Sequence, residues 1–229
     1  MIGPVRHNPS TVVVLAGGTT EPVLAAVGRS LNVVLVRPAE PPSGADTGLD
    51  AAAGALRRAA GITAPYVLVA ADPLSSVATA WQAMWEVTAE PHGSDEFELR
   101  AAETLAAWRA KRFELPDYYL VLAEETALGG AAPAASGASG PASSAGASGA
   151  GGPRADFYLG PLRAVRPNRV SVAAGASPEA QAGALLNELG SLRHGPWWPS
   201  LDEVFRTARG FYPGALAESA AARRASLLT

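Results

Sequence analysis

The stretch Thr11-Val-Val-Val-Leu-Ala-Gly-Gly-Thr-Thr-Glu-Pro-Val-Leu-Ala-Ala-Val-Gly-Arg-Ser-Leu31 decides the fold class. Residues 11–16 are a short, unbroken apolar run, the pattern of a strand buried on both faces. Gly17-Gly18-Thr19-Thr20 makes a tight loop. From Glu21-Pro22 onward Val23, Val27 and Leu31 recur at i, i+4 and i+8 with Leu24 beside them, which predicts an amphipathic helix over 21–31. Strand, glycine loop and helix in this order are how an α/β sheet presents backbone N–H groups at a helix start, where a phosphate or carboxylate can bind.

The same alternation continues outward. Val33–Val36 reads as a second strand closed by Arg37-Pro38, followed by a Pro/Gly loop and a helix over 49–60 that Gly61 would end. Tyr66–Ala71 is a third strand, and helices over 74–87 and 95–113 follow it. Leu74, Val77, Trp81, Met84 and Trp85 share a face of the first of these, and Phe97, Ala101, Leu105 and Trp108 a face of the second. Trp81, Trp85, Trp108 and Phe113 read as core. Tyr118–Ala123 is a fourth strand, on which Tyr118 and Tyr119 point to opposite faces. Phe157–Val165 is expected as a short strand or a helix broken by Pro161. Arg169–Ala173 is a fifth strand, Ser177/Pro178 start a helix through Leu192, and a last helix runs from Ser200 to Ala208. The expected architecture is therefore a three-layer Rossmann-like α/β domain around a mostly parallel sheet of about five strands.

Residues 128–153 contain only small residues and proline after Leu128, a composition that buries too little to offset ordering entropy, so a disordered loop is expected there. The piece beyond it, 154–229, offers one good strand and two helices, thin for an independent core. The expectation is one domain over 1–229 interrupted at 128–153.

Composition excludes more than it assigns. A net charge of −3 gives no footprint for bulk nucleic-acid binding or for an anionic membrane surface. The absence of cysteine removes disulfides, thiolate catalysis and thiolate metal sites. His7, His92 and His194 stand far apart, and no Gly-x-Ser-x-Gly elbow occurs. The first residues lack a signal-peptide layout and the apolar run at 11–16 is too short to span a bilayer, so a soluble cytoplasmic protein is expected.

Four places could carry chemistry. Gly17, Gly18, Thr19 and Thr20 could cradle an anion, although no Lys-Ser/Thr follows as in a phosphate-binding Walker loop. The third glycine of the dinucleotide fingerprint is also missing, since Gly28 comes too late. If the first and third strands are parallel, Asp72 emerges beside Gly17, where it could hold a ribose hydroxyl, with Ser75 or Ser76 as further ligand contacts. The plainer role for Asp72, before Pro73, is to start a helix. Glu124 and Glu125 end the fourth strand and with Asp72 would give at most a two-carboxylate magnesium site. In Leu192-Arg-His-Gly-Pro-Trp-Trp-Pro199, Trp197 and Trp198 cannot both face inward on a regular element, so at least one is expected at a groove or partner interface. Arg163, Arg166 and Arg169 cluster nearby and could clamp a phosphate, but are more simply exposed residues around a helix end.

A strand followed by Gly-Thr-Thr-Glu-Pro resembles the first loop of the sensor domains of CRISPR-associated proteins that bind cyclic oligoadenylates. The likeness is confined to this one unit and assigns no family. Three functions follow from the residues. The first is a non-catalytic ligand-binding, sensor or accessory domain that takes a nucleotide or other small anion at Gly17–Thr20 and Asp72–Ser76, with no resident cofactor or metal. The second is an interaction module docking a protein partner through Trp197/Trp198. The third is a small metal-assisted enzyme on nucleotides or sugars using Asp72 and Glu124.

Overall fold

The computed structural model describes residues 10–17, 20–39, 48–86, 92–124 and 155–211. Five parallel strands form one sheet in the order β2-β3-β1-β4-β5. They are β1 (Thr11–Gly17), β2 (Val33–Val36), β3 (Tyr66–Val69), β4 (Tyr118–Glu124) and β5 (Val170–Gly175). The helices are α1 (Glu21–Val27), α2 (Gly48–Ala60), α3 (Ser75–Glu86), α4 (His92–Arg109), α5 (155–165), α6 (Pro178–Ser191) and α7 (Leu201–Arg209). Because β5 pairs with β4, the chain on either side of residues 125–154 contributes to the same sheet.

The pleat sorts the strand residues into two cores. Val13, Leu15, Leu68, Tyr118, Leu120 and Leu122 face α1 and α6, whose Val23, Val27, Leu185 and Leu189 cover them. Val12, Val14, Val67, Val69, Tyr119 and Val121 face the opposite layer, built from α2, α3, α4, α5 and α7. Adjacent residues of one strand thus sit at the centres of different cores, which is why the strands carry no alternation of polar and apolar residues. The thicker layer is anchored by Trp81, fully buried, whose indole N–H donates to the Ala208 carbonyl at 2.8 Å and whose ring meets Phe157 edge-on at 5.8 Å.

Several elements depart from the sequence expectation, each for a local reason. Helix α1 stops at Val27, so Leu31 lies past its end and is fully exposed rather than on its apolar face. Helix α4 ends at Arg109, not 113. Lys111 takes a left-handed φ of 56°, and the Arg112 N–H reaches back to the Ala107 carbonyl, the Schellman closure that usually uses glycine. Phe113 is buried beyond the helix instead of on it, and Leu115 is buried just after it. Trp85 is 37% exposed, at the solvent side of α3, while Trp108 is partly buried. Pro161 does not break α5: the helix widens into a π-type turn over Tyr158–Leu162 between α-helical ends, and a proline's missing N–H is absorbed there. Strand β5 begins at Val170 because Pro167–Arg169 forms a 3₁₀ turn. Ser177 does cap α6 as expected, its hydroxyl accepting from the Ala180 N–H at 3.2 Å.

Candidate functional site

Parallel pairing of β1 with β3 brings their carboxyl ends to one edge of the sheet. Gly17 ends β1 with φ +85°, and a Cβ there would stand 2.6 Å from the Leu122 carbonyl oxygen of β4. Glycine is required on both counts: the left-handed backbone and the close approach of the neighbouring strand. The turn leaves a cavity of about 260 Å³ at the strand ends. Gly17, Asp72, Ser75 and Tyr158 line it, together with Ala71 behind β3 and Gly48 at the start of α2.

Asp72 is held from two sides. One carboxylate oxygen accepts from the Leu74 N–H at 2.9 Å, closing the turn into α3, and the other accepts from the Tyr158 hydroxyl. The helix-start role and a place in the cavity therefore coincide in one residue. Tyr158, on the π turn of α5, is fully buried and stacks obliquely on Tyr119 with ring centroids 5.6 Å apart. The Tyr119 hydroxyl is buried without a hydrogen-bond partner. Burial, and then the charge of Asp72, push its pKa well above the ordinary tyrosine value.

The glycine loop is only partly described. Gly18 and Thr19 lie outside the described residues. Thr20 is half-buried at the start of α1, its hydroxyl making no capping bond and no other hydrogen bond. Glu21, which would repel an anion, is bidentately bonded by the Arg37 guanidinium at 2.5 and 2.7 Å, and that hydrogen bond lowers its pKa. Ser75 faces the cavity, whereas Ser76 belongs to a separate cleft between α2 and α4. Tyr158 is the cavity residue that sequence reasoning missed. It lies past residues 128–153 in a segment expected to break at Pro161, and no local pattern connects it with Asp72.

The remaining candidates resolve differently. The side chain of Glu124, and all of Glu125, lie outside the description. Among the described residues no group of three His, Cys, Asp or Glu side chains is placed to hold a metal ion. The tryptophan pair splits. Trp198 is buried in the thicker core, donating to the Pro116 carbonyl at 2.7 Å and meeting Tyr119 edge-on, and Trp197 is 42% exposed. Arg169 is not an exposed helix-end residue but a buried one. It donates to the carbonyls of Pro196, Asp117 and Gly195 at 2.8–2.9 Å, between the rings of Tyr118 and Trp197 at 5.3 and 4.6 Å. Arg166 adds a bond to the Trp197 carbonyl at 2.6 Å. These two arginines pin the 192–200 loop and are not free for a phosphate. His194 is exposed on that loop.

Comparison of the chain with protein families, with curated proteins and with solved structures finds no match to any of them. No helix among the described residues is long and apolar enough to cross a membrane.

Proposed function

We propose that this chain is a ligand-binding domain of the Rossmann-like type, a sensor or accessory unit whose small-molecule ligand occupies the cavity at the carboxyl edge of β1 and β3. The observation that carries this is the meeting of Gly17, Asp72, Ser75 and Tyr158 around one cavity. Open α/β sheets bind ligands outside the carboxyl ends of their strands. The volume is just under the roughly 300–1,000 Å³ common for small-molecule sites.

The chemistry favours a nucleoside or nucleotide held by its sugar. The described lining offers the Asp72 carboxylate and the Ser75 hydroxyl, the Tyr158 hydroxyl being already donated to Asp72, and no arginine or lysine. A vicinal diol donating to Asp72 suits that set better than a phosphate placed against it. A phosphate of the same ligand would belong nearer Gly17–Thr20, where backbone N–H groups of the strand–helix turn supply donors without a cationic side chain.

The test is a thermal-shift panel of nucleosides and their mono- and diphosphates. A ligand present at about 100 times its Kd should stabilise the fold by about 2.7 kcal/mol. Asp72→Asn, which can still close the turn into α3, should weaken that ligand about tenfold or more by removing a charge-assisted hydrogen bond. A flat panel, or equal affinity of the Asp72→Asn variant, overturns the proposal.

A further inference from the structure

Strand β5 forms one border of the sheet, and among the described residues nothing pairs with its outer side. Alternate residues of a border strand direct their N–H and C=O groups away from the sheet. Natural borders are usually blunted by short length, charge, proline or a bulge. The opposite border, β2, is only four residues long. In contrast β5 is six residues, Val-Ser-Val-Ala-Ala-Gly, with no charge and no proline.

A cleft of about 480 Å³ runs along the first half of this border, from Val170 to Val172. Its two sides carry arginines. Arg163 comes from α5, on the Tyr119 side of the sheet, and Arg193 follows α6, on the Tyr118 side. Both are exposed, and neither has a carboxylate partner among the described residues. Glu188 on the α6 side tempers Arg193 and leaves the Arg163 side the more positive.

We propose that this border receives an extended acidic segment of a partner protein, added to the sheet as a sixth strand beside β5. Main-chain hydrogen bonds to β5 supply the affinity, as in other strand-addition complexes. The side chains of the added strand alternate between faces, so acidic residues at either parity meet an arginine, Arg163 on one side and Arg193 on the other. A second copy of this chain is the poorer occupant. Two β5 strands related by a two-fold axis would bring the arginines of both copies to one seam.

The test uses the full chain and a fluorescein-labelled heptapeptide, Thr-Val-Glu-Val-Glu-Val-Thr, followed by fluorescence anisotropy. Two controls accompany it: a peptide with lysine for glutamate, and one methylated on the backbone nitrogens of its central residues at both parities. Saturable binding of the acidic peptide is expected, about tenfold or more weaker for either control and for the Arg163→Glu/Arg193→Glu variant. The arginines are exposed, so the variant should keep its circular dichroism spectrum, and the methylated peptide tests strand addition on the unaltered protein in any case. Equal binding of the methylated peptide overturns the proposal, as does indifference to charge reversal or no saturation by about 1 mM peptide. Self-association of the chain that charge reversal abolishes, read by sedimentation, also overturns it, because the border would then be occupied by a second copy.

Discussion

Tyr119 shows how one residue can be legible in kind and illegible in consequence. Its place on a strand, on the opposite face from Tyr118, follows from the pleat alone. Its packing between Tyr158 and Trp198, residues far along the chain, does not. The hydroxyl is desolvated without a partner, a cost that a phenyl ring would not carry. Tyr119→Phe should therefore leave stability unchanged or raise it by up to about 1 kcal/mol near neutral pH. The pH dependence has a definite sign. The folded-state pKa lies above the ordinary value of 10.0, so the folded state keeps a proton that the unfolded chain releases. Stability from this group is complete below that value and is lost as pH rises through it and on to the folded pKa. Urea unfolding at about pH 7 and about pH 11 should show a shallower alkaline loss for Tyr119→Phe than for the parent. A steeper loss in the variant would contradict the assignment.

At the scale of elements, the sequence predicted strands better than helix ends. Strands β1, β2 and β4 lie within a residue of expectation because short apolar runs bounded by Gly, Pro or charge have little freedom in where to stop. The end of α4 was missed because its terminator is Lys111 in a left-handed conformation, a role that composition assigns to glycine. How α4 meets α7 was equally hidden. The Arg209 guanidinium donates to both Glu98 oxygens at 2.5 and 2.7 Å, and Arg109 donates to Asp202 at 2.7 Å. Hydrogen bonding by Arg209 lowers the pKa of Glu98. A depressed carboxyl stabilises above its unfolded pKa, near 4.5, and the gain is lost as pH falls through the lower folded value. Both side chains are about half exposed, so Glu98→Gln should cost at most about 1 kcal/mol at neutral pH and low salt. The difference should shrink between neutral pH and an acid pH well below 4.5, as the carboxyl protonates in the folded state. Chemical denaturation of both proteins at the two pH values checks this, and a pH-independent difference would point to packing rather than charge.

At the scale of the whole molecule, β4 and β5 are neighbours in the sheet although residues 125–169, α5 among them, separate them in the chain. Loop closure depends only logarithmically on length, so the sheet can accommodate a long connection there at small cost. Halving the low-complexity stretch 128–153 should shift stability by only about 0.6 kcal/mol, in the favourable direction, if it behaves as its composition predicts. A midpoint change in urea several times larger would show that the stretch makes contacts of its own.

The α/β class and a mostly parallel sheet follow from the sequence itself, and the edge shared by Gly17 and Asp72 follows once β1 and β3 run parallel, as the structure has them. Apolar runs with the period of buried strands, separated by helical repeats, admit few other arrangements once crossovers are right-handed. The tertiary structure alone decided that Tyr158 bonds Asp72 and that Trp198 is core while Trp197 is surface. It alone made Arg169 a buried clamp and left β5 on the border of the sheet. The physical reason is range. Periodicity records what a residue does to its own helix or strand, whereas these outcomes depend on which distant groups the packed layers bring within hydrogen-bonding or van der Waals reach.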